Sequence, residues 1–188
     1  MASTSVYRRD LLLRLGLAFI QIAPRVSESA LPNELPTQTA LRLAEAKARA
    51  VADHTGPHVL IIGSDQVAEL DGEPIGKPLT HENAVQQLRL LSGKTAKFHT
   101  ALVLLNVDNG KAQAELVCTA VRFRSLSDPQ IERYLRREQP YDCAGSAKVE
   151  GLGIALVESV TGADATALIG LPLIALVSML HNEGIEVL

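Results

Sequence analysis

Residues 60–80 read LIIGSDQVAELDGEPIGKPLT, and no other stretch restricts the fold as much. The β-branched, apolar run over residues 58–63 has the composition of a buried strand. Asp65 follows at the mouth of that strand. Two short segments then flank Asp71-Gly72, residues 66–70 before it and 73–75 after it. Asp-Gly between such segments is a strong hairpin signal, because a two-residue turn of the matching twist needs positive φ at both central positions.

The remaining periodicities supply the helices and the other strands. Residues 7–15 have helical apolar spacing and stop at Gly16. Residues 37–54 repeat leucine and alanine at three- and four-residue intervals, with Arg42, Glu45 and Arg49 on the other side. Thr80 caps a helix to Leu91, with Asn83 at the capping-box distance. Ser127, followed by Asp128 and Pro129, opens a helix over 127–137, and Pro172 opens one over 172–182. Strands are predicted over 18–24, 98–107, 115–123 and 152–160, and an irregular connection over 25–36. Strands alternating with helices, plus two adjacent hairpins, indicate an α/β fold with a mixed sheet.

Composition narrows the partners. The 188 residues are 47% hydrophobic and 21% charged, which is globular, and they make one large domain or two small lobes. Eighteen basic and twenty-one acidic residues give a formal charge of −3, without the basic surplus that a nucleic-acid polymer requires. A small anion held by a few local lysines and arginines is compatible with that balance. Aromatic residues are 3%, with no Trp, which argues against a base-stacking platform. The apolar run over 169–180 is interrupted by Pro172 and is shorter than the ~20 residues of a membrane span. The polar start MASTSVYRRD lacks a hydrophobic signal core. Cys118 and Cys143 have no metal or redox spacing and read as free thiols of a cytoplasmic protein.

Several side chains are candidates for chemistry. Asp65, read as lying just past the C-terminal end of a buried strand, stands where open α/β sheets place ligands. Its carboxylate can bind a divalent cation or take a proton from water, or can serve as an ordinary turn residue. Lys77, between Gly76 and Pro78, is either aimed at a phosphate or solvated on its loop. Arg8 and Arg9 follow the hydroxyl cluster Ser3-Thr4-Ser5 at a helix start, which suits an anion as well as an exposed basic pair. Lys47 interrupts the alanine-rich run AEAKARAVA, and spacing leaves its direction open. The five histidines form no metal motif, and neither cysteine carries a nucleophile signature. Scattered carboxylates, lysines and arginines suit metal-assisted attack of water on a phosphoanhydride.

Taken in order, STSVYRR, the glutamate of PRVSES, RLAEAKA, IIGSDQV, LDGEPIGKP, LSGK, DCAGSAKVEG and IGLPL resemble the Maf family of nucleotide pyrophosphatases almost end to end. The resemblance implies a Maf-like, two-lobed α/β domain over residues 1–188, with an elongated mixed sheet, flanking helices and a central cleft. It implies hydrolysis of a nucleoside triphosphate to the monophosphate and pyrophosphate, with Mg2+ or alternatively Mn2+, in a cytoplasmic enzyme that is often a homodimer. Carried over by position, Asp65 is the proton acceptor or metal-organising carboxylate and Glu28 its companion. Arg8, Lys47 and Lys77 hold phosphates, and Ser3 and Arg9 line the anion pocket. Tyr7, Gln66 and Glu150 look like the branch that prefers 7-methyl-GTP. N7-methylation leaves the purine cationic, so Tyr7 could stack with a cation–π component and Glu150 could accept from guanine's N1–H and amine. The implied role is clearance of modified nucleotides. Two alternatives stand beside it: a regulatory nucleotide-binding protein affecting septum formation, and a pyrophosphatase of other standard or modified triphosphates.

Overall fold

A computed structural model describes residues 1–188. The chain forms helices α1 (Val6–Leu13), α2 (Pro36–Ala52), α3 (His81–Leu91), α4 (Asp128–Glu138) and α5 (Leu173–Asn182). Its strands are β1 (Leu60–Leu70), β2 (Glu73–Ile75), β3 (Thr95–Asn106), β4 (Ala112–Phe123) and β5 (Val157–Gly162), in sheet order β2-β1-β3-β4-β5. Two compact units result. The first comprises Met1–Gln66, Thr100–Val117 and Ala163–Leu188; the second comprises Val67–His99 and Cys118–Gly162.

In the first unit α1 and α5 pack on β1 and β3. Leu11 and Leu12 of α1, Ile62 of β1, Leu102 and Leu104 of β3, and Leu176 and Leu180 of α5 form one buried cluster. Helix α2 approaches β1 through a face of small residues: Ala40, Ala44 and Ala48 are all wholly buried. Gly63 makes that approach possible, since a Cβ there would fall 2.9 Å from the Ala48 Cβ and closer still to the Ala44 carbonyl. At the chain start, the Ala2 amide donates to the Ile62 carbonyl (2.8 Å), and Ala2 bridges both Ile22 and Gly63 in parallel. The strand expected over 18–24 is reduced to that bridge at Ile22. Pro24 removes a ladder donor, and Ile20 is 69% exposed, so extension in either direction gains little.

The second unit packs α3 against α4 over a core that includes Leu88, Leu91, Phe98, Val121, Phe123 and Ile131. The Asp71-Gly72 turn adopts φ of 55° and 91°, and β1 pairs antiparallel with β2 in the register Leu70↔Glu73. Strand β5 pairs antiparallel with β4 from Thr119↔Gly162 to Phe123↔Val157.

Three further expectations are corrected. Strand β1 continues unbroken to Leu70, so Asp65 lies within it and not past its end. Strands β3 and β4 each begin three residues earlier than their apolar runs suggested, at Thr95 and Ala112. Residues 152–156 form a 3-10 turn and not the start of β5. There the Gly153 amide donates to the Lys148 carbonyl (2.9 Å), folding the backbone so closely that a Cβ on Gly153 would collide with Lys148.

Candidate active site

The close packing of α2 on β1 decides the direction of Lys47. Its ammonium is buried, with only 3% of the residue exposed, and lies 2.6 Å from Asp65 Oδ1 and 2.5 Å from Glu28 Oε1. Asp65, 8% exposed, projects toward α2 from the interior of β1, and Glu28 reaches the same point from the irregular segment after Pro24. That segment is pinned by a second ion pair. Arg42, assigned by periodicity to the outer face of α2, donates through Nη2 to Glu34 (2.7 Å) and also to the Ser29 carbonyl (3.1 Å). Glu34 accepts in addition from the Thr39 hydroxyl and the Leu31 amide. The Arg42 hydrogen bond is the largest cause holding its carboxyl at about 2. Arg49 and Glu45, by contrast, pair on the exposed face as expected.

The hydroxyl cluster builds the start of α1. Ser5 is the N-cap, its Oγ accepting from the Arg8 amide (3.3 Å), and the buried Ser3 accepts from the Ser5 amide through its own Oγ (3.1 Å). Arg8 is half-buried. Its Nε donates to the Gly170 carbonyl (2.8 Å). Desolvation lowers the affinity of its guanidinium for the proton, and the charges of Asp65 and Glu28 oppose that effect. Lys47 thus pairs directly with both carboxylates, while Arg8 bonds to Gly170 and feels their charge without a direct bond to either. Arg9 is exposed and bonds to Asp10 (2.9 Å), while Tyr7 is half-buried on α1.

The residues flanking Asp65 point to the opposite face of β1, as strand alternation requires. Ser64, 2% exposed, donates to the Gly170 carbonyl (2.9 Å). The Gln66 amide nitrogen is shared among Thr100 Oγ1 (2.8 Å), the Ala167 carbonyl (3.0 Å) and the Leu168 carbonyl (3.1 Å). Gln66 is thus tied to the 167–168 backbone. Ser64, Gly170 and Glu34 are not site candidates from the sequence, and Arg42 is placed there only on the outer face of α2. Strand alternation about Asp65 would have flagged Ser64; Gly170 and the Glu34–Arg42 pair leave no local signal, because their partners are set by the fold.

In the second unit, Lys77 is exposed on a loop fixed on both sides of it. The Gly76 carbonyl accepts from Gln87 Nε2 (3.0 Å), and the Pro78 carbonyl accepts from Asn83 Nδ2 (3.0 Å). Gln87 also accepts from the fully buried Ser146 hydroxyl (2.6 Å), which joins the Lys77 loop to the turn preceding Glu150. Glu150 is exposed as a residue, yet desolvation is the largest cause raising its carboxyl pKa; the Lys148 charge opposes it, and Glu138 and Asp142 add to it. Lys148 pairs with Glu138 (2.9 Å), which also accepts from the Leu152 amide (2.8 Å).

No group of three or more His, Cys, Asp or Glu side chains converges, so the donor set does not fit a closed zinc site. The paired carboxylates of Asp65 and Glu28 are the oxygen donors that a hard cation of the magnesium kind takes, the rest of its shell being water and substrate phosphates.

Comparison with known proteins adds a family and relatives. A family model described as Maf-like protein matches residues 1–183. A 7-methyl-GTP pyrophosphatase of Methylobacillus flagellatus is 56% identical over 188 residues, covering 100% of this chain and 97% of its own. The protein of the same name from Nitrosospira multiformis is 57% identical over 187 residues, covering 100% and 94%. That of a Polaromonas species is 56% identical over 185 residues, covering 98% and 84%.

Proposed function

The chain belongs to the Maf family, and from that premise we propose that it is a nucleoside triphosphate pyrophosphatase that converts 7-methyl-GTP to 7-methyl-GMP and pyrophosphate. The observation that carries the chemistry is the junction of Lys47 with Asp65 and Glu28, two acids whose charge also acts on Arg8. Carboxylates and cations gathered in this way suit a polyanionic substrate attacked by water. The choice of base rests on relatives of that name at 56% and 57% identity.

In this reading Arg8 and Lys47 orient phosphate oxygens, and Asp65 takes the proton of the attacking water. The water oxygen bonds to phosphorus, the phosphoanhydride bond breaks, and pyrophosphate leaves with the bridging oxygen. Lys47 offsets the mutual repulsion of Asp65 and Glu28, and Lys77 neutralises charge on the leaving phosphates. Asp65 and Glu28 would hold Mg2+, with Mn2+ as the substitute. When bound, such a cation withdraws charge from the phosphates and acidifies water. Ser3 supports the anion pocket through the turn it makes, and Arg9 contributes positive field from the surface. Tyr7 and Glu150 recognise the cationic methylated base, one by stacking and the other by accepting hydrogen bonds. Gln66 contributes to the same preference through the backbone it anchors. No helix is long and apolar enough to cross a membrane; a substrate drawn from the nucleotide pool implies a cytoplasmic enzyme, and a homodimer belongs to the same reading.

The test is pyrophosphate release from a panel of methylated and ordinary triphosphates with Mg2+. Wild type should prefer 7-methyl-GTP. Asp65→Asn should lose about 100- to 10,000-fold in rate, the range of a general base, and Glu150→Gln should narrow the preference for the methylated base. A flat ranking across the panel, or full activity in Asp65→Asn, would overturn the assignment.

A further inference from the structure

Arg8 is held by an arrangement that its own helix does not supply. Its Nε donates to the carbonyl of Gly170, 162 positions further along the chain. The same carbonyl accepts the Ser64 hydroxyl (2.9 Å), so both of its lone pairs are occupied. Gly170 has φ of 121° and ψ of 5°, a conformation open to glycine and strained for any other residue. A Cβ added there would also sit 3.4 Å from Arg8 Nε.

The backbone that presents this carbonyl is braced along its length. Thr100 donates to the Ala167 carbonyl (2.9 Å), and Gln66 donates to the Ala167 and Leu168 carbonyls. Asp164 accepts from the Thr166 amide (2.8 Å) and from the Ile174 amide at the start of α5 (2.7 Å). Ser64 and Gln66, on either side of Asp65, therefore both fasten to the 167–170 segment. The residue between them faces Lys47.

We propose that Ser64 and Gly170 are positioning residues for Arg8, the Gly170 carbonyl fixing Nε so that the guanidinium meets a phosphate end-on through its two Nη nitrogens. This inference rests on the phosphate-binding role given to Arg8 above. A guanidinium has five N–H donors; with Nε committed to the protein, the four on the Nη nitrogens remain as a fork matched to phosphate oxygens. Ser64 acts on the carbonyl and touches no substrate. Its effect passes entirely through Arg8.

That dependence gives the test. Pyrophosphate, with Mg2+, is titrated calorimetrically into wild type, Ser64→Ala, Ser64→Cys, Arg8→Gln and the Ser64→Ala/Arg8→Gln double variant. Ser64→Ala should weaken binding about five- to tenfold, the scale of one neutral hydrogen bond. Ser64→Cys, slightly larger and with a weaker donor, should fall between wild type and Ser64→Ala. The double variant should bind no more weakly than Arg8→Gln alone, because the hydroxyl has nothing left to position. A merely structural serine would weaken both backgrounds equally, and that additivity would overturn the proposal. Unchanged affinity in Ser64→Ala, or a wild type that does not bind pyrophosphate, would overturn it too. Coupled binding in a wild type that releases no pyrophosphate from any triphosphate would sink the proposed activity and leave the positioning role standing.

Discussion

At the scale of single residues, the site combines two kinds of ion pair. Lys47 is buried against two acids whose chemistry is used in the proposed reaction, whereas Glu34 and Arg42 serve only to hold backbone near Glu28. The second pair makes a pH prediction. Glu34 is depressed from an ordinary 4.5 to about 2, chiefly by its hydrogen bond from Arg42. A carboxyl depressed on folding adds stability above its unfolded value and loses it as pH falls through its folded value. The gap in melting temperature between wild type and Glu34→Gln should therefore be full above pH 4.5 and should close as pH falls toward 2. Melts over that window would show it; a gap independent of pH would contradict it.

At the scale of elements, the decisive contact is α2 lying on β1. Gly63→Ala places a Cβ 2.9 Å from the Ala48 Cβ and against the Ala44 carbonyl, so helix and strand must separate. Overpacking of this kind costs about 1–3 kcal/mol. Urea unfolding should show that loss, and activity should fall as Lys47 draws away from Asp65; unchanged values in both would mean that the approach is looser than described. Much of the element pattern was legible in the sequence. Asp71-Gly72 gave its hairpin because two positive φ values are intrinsic to that dipeptide, and Ser127, Thr80 and Pro172 marked helix starts by local chemistry. Two of the failures share a cause. A polar Asp65 after an apolar run suggests a strand end, and apolar Leu152 a strand start, but residue type does not fix backbone state. Pairing with β2 from Ala68 to Leu70 carries β1 past Asp65, and a backbone bond from Gly153 to Lys148 folds residues 152–156 out of β5. Lys47, Ser64 and Arg42 illustrate the same limit: their types were visible and their partners were not.

At the scale of the whole molecule, ligand and stability are linked, because a ligand that binds only the folded chain stabilises it. In Asp65→Asn, 7-methyl-GTP and Mg2+ at a hundredfold excess over the dissociation constant should add about 2.7 kcal/mol. For a chain of this length that is a rise in melting temperature of about 5–10 °C. GTP at the same concentration should give a smaller rise, and equal shifts would count against recognition of the methylated base. The chain passes between its two units at residues 66/67, 99/100, 117/118 and 162/163. No single scission can liberate either one intact, since β1, β3 and β4 would be cut through their middles. Neither could be shuffled into another gene as a self-sufficient cassette, so divergence within such a lineage has to proceed by substitution and loop change, with both halves inherited together.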